Sequence, residues 1–132
     1  MRITRSLLDE LVAHALEDAP NECCGMIAAR DGEAVEVHRT RNTAASPLRF
    51  EMDGKEQYEV FDGIEEAGLQ LGAIYHSHTR SAPEPSQTDI NMARWWPDPL
   101  WVIVGVKDPD APDVRAWRIV EDKVSEAALE VF

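Results

Sequence analysis

The chain has 132 residues, enough for one domain over residues 1–132, and its 44% hydrophobic and 29% charged content is that of a globular protein. A formal net charge of −12 argues against a nucleic-acid partner, because phosphate neutralisation needs clustered Lys and Arg, and any steering acts toward basic surfaces. The N-terminal stretch is broken by Asp9, Glu10 and Glu17, so neither a signal peptide nor a membrane span is expected, and the adjacent Cys23 and Cys24 cannot staple a distant loop; the expected location is the reducing cytoplasm.

In chain order, Thr4 or Ser6 is placed to cap a first helix whose apolar positions are Leu7, Leu8, Leu11, Val12, Ala15 and Leu16, ended by Pro20. CCGMIAA reads as a short buried strand, Asp31-Gly32 as a hairpin turn, and AVEVHRT as the alternating strand that follows. LRFEM reads as another short strand. Asp53 caps a second helix carrying Tyr58, Phe61 and Ile64 and closing near Gly68. LQLGAIYH and LWVIVGV are continuous apolar runs, as expected of central strands covered on both faces. Between them Ser86 opens a third helix to about Trp95, stopped by Pro97 and Pro99. VRAWRIV alternates again, and KVSEAALEVF forms either a short strand or a terminal helix. The order predicts an α/β fold, a mixed β-sheet flanked by helices.

The chemistry concentrates in HSHTRSAPEPSQTD. On a strand, residues i and i+2 share a face, so His76 and His78 present both imidazoles to one point. Asp89, in the first turn of the third helix, can supply a carboxylate to the same point. Two imidazoles and one carboxylate with an open position form the catalytic kind of zinc site. The same Ser86-Gln87-Thr88-Asp89 spacing is also a helix cap, and the two readings coexist. Such a site needs a proton acceptor, and Glu22, just before the apolar strand, is a candidate among 25 acidic residues. His14 and His38 read as ordinary surface or half-buried residues. Cys23 and Cys24 read first as small core residues, with a fourth metal ligand or a redox role as alternatives. Trp101 and Trp117 sit on strands and read as core. Trp95 and Trp96 are candidates for a binding or homodimer surface.

His-x-His-x7-Ser-x2-Asp, together with the upstream PNECCG, resembles the JAMM (MPN+, Mov34/PAD-1) zinc metalloprotease family over most of the chain. The resemblance implies a cytidine-deaminase-like α/β fold, with Zn2+ held by His76, His78 and Asp89. It makes Glu22 the catalytic proton acceptor and Ser86 the oxyanion stabiliser. Thr79 stands where many eukaryotic members carry proline, and the chain is too short for their substrate-gripping insertions. Both features resemble the compact bacterial members. They imply hydrolysis of the amide bond after the C-terminal Gly-Gly of a ubiquitin-like, ThiS/MoaD-type sulfur carrier, releasing cysteine or a conjugated protein. A non-catalytic binding module of the same fold and a zinc hydrolase of small amino-acid conjugates are the alternatives. The deaminase signature H-x-E with P-C-x-x-C is absent.

Overall fold

A computed structural model describes residues 1–132. The elements run β1 (Arg2–Ile3), α1 (Arg5–Asp18), β2 (Cys24–Arg30), β3 (Glu33–Thr40), α2 (Gly54–Glu66), β4 (Gln70–His78), α3 (Gln87–Ala93), β5 (Leu100–Gly105), β6 (Asp113–Val120), β7 (Lys123–Ala127) and β8 (Glu130–Val131). All eight strands join one sheet in the order β7-β6-β5-β4-β2-β3-β1-β8. β7 and β8 are neighbours in sequence yet lie at opposite edges, so the sheet curls until its two ends approach each other. No helix is long and apolar enough to cross a membrane.

α1 fills the inside of the curl. Thr4 Oγ1 accepts from the Leu7 amide at its start, and Leu8, Leu11 and Ala15 pack against Ile3, Ala73, Tyr75, Val102, Val104 and Ala116. Each fully buried leucine in that cluster contributes about 1.5–3 kcal/mol. The other face of the sheet carries α2 and α3, over one cluster containing Cys24, Phe50, Ile74 and Trp101 and another containing Met26, Ala28, Ile64 and Leu69. Alternation along β4 therefore assigns faces: Ala73 and Tyr75 look toward α1, while Ile74, His76 and His78 look toward α3. β4 is central, antiparallel to β2 and parallel to β5, as its continuous apolar run predicts.

Several expectations need correction. LRFEM is not a strand: apart from one bridge between Asn42 and Met52, residues 43–51 form a loop. Its amides are satisfied locally, because Asn42 Oδ1 accepts from both Ala44 and Glu51. α3 ends at Ala93 rather than near Trp95. Of the two alternatives for the C-terminal segment the strand is the one formed, since β6 and β1 offer open edges for β7 and β8. Tyr58 is exposed rather than part of the packed face of α2. His14, read as surface or half-buried, is 4% exposed; its Nδ1 bonds the Tyr75 hydroxyl at 2.7 Å and Asp18 lies 3.4 Å from Nε2. Burial, the largest effect, lowers its pKa against the opposing charge of Asp18, so it is a neutral, bonded core residue.

Candidate active site

The strand and the helix cap converge as their spacing predicts. His76 Nε2 and His78 Nε2 are 3.2 Å apart, and Asp89 Oδ2 lies 3.1 Å from the first and 3.2 Å from the second. All three residues are buried, and their ligand atoms form the protein's one His/Asp cluster able to hold a metal. α3 supplies the carboxylate through a full capping box: Ser86 Oγ accepts from the Asp89 amide, and Asp89 Oδ2 accepts from the Ser86 amide. The oxygen that caps the helix is thus the one that faces the imidazoles.

Donor chemistry fits a small divalent cation. Tetrahedral zinc with bonds of about 2.0–2.1 Å would hold its ligand atoms roughly 3.3–3.4 Å apart, close to the separations observed. His78 Nδ1–H donates to the Ala82 carbonyl at 2.8 Å, which leaves the Nε2 lone pair pointing into the cluster. His76 Nδ1 has no such partner. Its ring is held by stacking on Phe50, with centroids 4.6 Å apart and planes 26° from parallel. In the metal-free protein, burial favours neutral Asp89, but the His76 charge and hydrogen bonds from the Nε2–H groups of charged imidazoles and from the Ser86 amide hold its carboxyl far below the usual range. Burial likewise opposes a charged His78, and bonds to Asp89 and Ala82 outweigh it, raising its pKa.

Glu22 lies beside this cluster and is 4% exposed. It precedes β2, whose Cys24 pairs with His76 across the β2–β4 ladder, so the register brings it to the histidine end of β4. Burial and the Asp89 charge raise its pKa to about 8 against the opposing pull of His78, and Oε1 has no hydrogen-bond partner. A buried carboxyl with an unpartnered oxygen, beside two imidazoles and a carboxylate, has the features of a tuned acid–base group.

A family model for prokaryotic homologs of the JAB domain matches residues 4–120. The chain belongs to the prokaryotic JAB family. This bears out the resemblance carried by the His-x-His and PNECCG elements. The CysO-cysteine peptidase of Mycobacterium bovis is 37% identical over 131 residues, covering 98% of this chain and 89% of the relative. A desampylase of Pyrococcus furiosus is 32% identical over 111 residues, 83% of this chain and 76% of the relative. The solution structure of a Desulfitobacterium hafniense protein superimposes with a TM-score of 0.89 at 28% identity, covering 99% of this chain and 92% of the other. With these peptidase relatives the JAB domain is a hydrolase of peptide-type bonds.

Neither cysteine of this JAB domain joins the cluster. Burial raises the Cys23 thiol to about 12 and the Cys24 thiol to about 11, and Cys24 Sγ sits 3.3 Å from Thr40 Oγ1. Both are neutral core thiols, as their type predicts. Trp101 is fully buried and Trp117 partly so, its Nε1 donating to Pro83 O at 2.9 Å and pinning the loop between β4 and α3. Trp95 is 82% exposed. Thr79, the departure from the eukaryotic proline, donates from Oγ1 to Pro20 O at 2.8 Å, tying β4 to the segment that carries Glu22. Sequence reasoning missed Asn42, Phe50 and Ser77, which hold the site's backbone and rings; their contacts are tertiary and leave no periodic signal.

The raised pKa of Glu22 makes a stability prediction for metal-stripped protein. A carboxyl whose folded pKa lies above its unfolded value stabilises the fold fully below about 4.5, and this contribution is lost as pH rises toward about 8. Glu22→Gln removes that slope. Metal-free Glu22→Gln is therefore expected to gain on the parent between pH 5 and pH 8, reaching about 3 kcal/mol at the upper end. Urea titrations at the two pH values check it, and a gap that does not widen with pH refutes it.

Proposed function

We propose that this JAB domain is a zinc peptidase that hydrolyses the amide bond after the C-terminal Gly-Gly of a ubiquitin-like sulfur carrier, releasing cysteine or a conjugated protein. The observation that carries this reading is the convergence of His76 Nε2, His78 Nε2 and Asp89 Oδ2 beside the buried carboxyl of Glu22. Support for the substrate comes from the relatives named CysO-cysteine peptidase and desampylase.

His76, His78 and Asp89 would hold the metal. When bound, zinc polarises the scissile carbonyl and makes a neighbouring water more acidic. Glu22 takes that water's proton and delivers it to the leaving amine. For this it must be ionised, and a cation at the cluster supplies the opposite charge that burial and Asp89 otherwise deny it. Ser86 uses an oxygen lone pair to cap α3, so its hydroxyl proton remains free to donate where negative charge develops on the substrate. The three ligand residues are buried, while Ser86 is exposed.

The expected outcome is one zinc per chain, with hydrolysis of a carrier–cysteine fusion abolished by a chelator and restored by zinc. Elemental analysis and product mass spectrometry read both. Undiminished cleavage after complete metal removal refutes the zinc mechanism. Equal cleavage of a free Gly-Gly-Cys peptide and the carrier fusion shifts the substrate to small conjugates.

A further inference from the structure

We propose that Asn42 is a positioning residue for the reaction: its amide grips the Glu22 backbone and ties it to the loop that braces His76. The inference rests on the reading of Glu22 as the proton acceptor.

Glu22 lies two residues ahead of β2, so no sheet ladder holds its peptide groups. The loop after β3 replaces that ladder. The Glu22 amide donates to Ser46 O at 2.9 Å, and the Glu22 carbonyl accepts from Asn42 Nδ2 at 3.0 Å. On the opposite side β4 completes the grip, with the Cys23 amide donating to Ser77 Oγ at 2.8 Å and the Ser77 amide to Cys23 O at 3.1 Å. Glu22 is therefore suspended between β4, which carries the histidines, and a loop with no regular structure of its own.

Asn42 is 9% exposed, and both ends of its amide are used. Oδ1 accepts from Ala44 and Glu51, each at 3.0 Å, which folds the loop back on itself. Nδ2 donates to Arg49 O at 3.1 Å and to Glu22 O, which leaves the loop and reaches the site. The same loop places Phe50 flat against His76, the ligand ring whose Nδ1 lacks a hydrogen-bond partner. One side chain thus connects the support of the acid–base group to the support of a ligand imidazole. A displacement of about 1 Å in such a group can cost 10²-fold in rate.

The chemistry of the amide gives a selective variant. Asn42→Asp keeps the acceptor half that folds the loop and loses the donor half that grips Glu22. With a carrier–cysteine fusion as substrate, it is expected to lower kcat about 10–100-fold with KM within about twofold and the metal-to-protein ratio unchanged. Placed on top of Glu22→Gln, the same change is expected to cost less than about threefold, because there is no proton acceptor left to misplace. Should Asn42→Asp fail to fold, Asn42→Gln moves the donor by one methylene and is read the same way. Unchanged kcat, a loss appearing in KM alone, or an equal fold loss in both backgrounds overturns the proposal. Full activity in Glu22→Gln alone overturns the underlying reading instead, and the single variant reports that separately.

Discussion

Replacing Glu22 with Gln is expected to lower kcat by about 10³-fold while the metal stays bound. The two side chains have the same shape, so the cleft keeps its form. Glutamine cannot accept the proton, and a positioned acid–base group is worth about 10²–10⁴ in rate. The metal is expected to remain because the converging atoms belong to His76, His78 and Asp89, and Glu22 stands outside that cluster. Folding is not expected to suffer, since burial already favours a neutral side chain at this position. Steady-state kinetics and metal analysis on the same preparation decide the matter. Metal lost together with activity would move Glu22 into the ligand set. Activity retained would remove it from the mechanism.

Gly25→Ala is expected to cost at least about 3 kcal/mol of stability, close to the upper end of what overpacking a core position does. Gly25 is the last residue of PNECCG, in the part of β2 that pairs with both Arg39 and Tyr75. A Cβ there would overlap the His38 carbonyl oxygen and the ring of Tyr75. The carbonyl cannot withdraw without breaking the β2–β3 ladder. The ring cannot swing aside, because Tyr75 is fully buried and its hydroxyl is bonded to His14. Thermal unfolding followed by circular dichroism should show a midpoint lowered by about 10 °C. A drop below about 2 °C would mean that the Tyr75–His14 pair yields easily. The glycine that completes the motif is therefore a packing requirement of the sheet beside the site, not a chemical participant.

What could be read from the sequence was local. The i, i+2 spacing of His76 and His78 and the Ser86–Asp89 cap are fixed by strand and helix periodicity, and the converging geometry follows from them. Glu22 is not legible in that way. Without the resemblance of PNECCG it is one carboxylate among many, because its place beside the histidines depends on the β2–β4 register. Asn42 and Phe50 are further from reach. Their roles arise from a loop whose hydrogen bonds run through one side chain, and LRFEM looked like a strand because its composition suits one. The C-terminal segment and the two-residue β1 were decided by the edges of the curled sheet, a tertiary effect that overrides weak local preference. His14 was misjudged for the same reason, since its partner Tyr75 lies 61 residues away.

The curl of the sheet also determines how the molecule can be handled. Arg2 is level with Glu33, Glu33 with Arg30, and the adjoining Ala29 with Gln70, so the first strand starts beside the beginning of β4. β8 runs alongside β1, with Val131 opposite Ile3. The N-terminal end thus starts level with the beginning of β4, roughly 20 Å from His76 at the strand's other end at about 3.3 Å per strand residue. A fusion partner or a surface tether attached at the N-terminus would leave the cleft facing outward, open to a substrate as large as a folded protein.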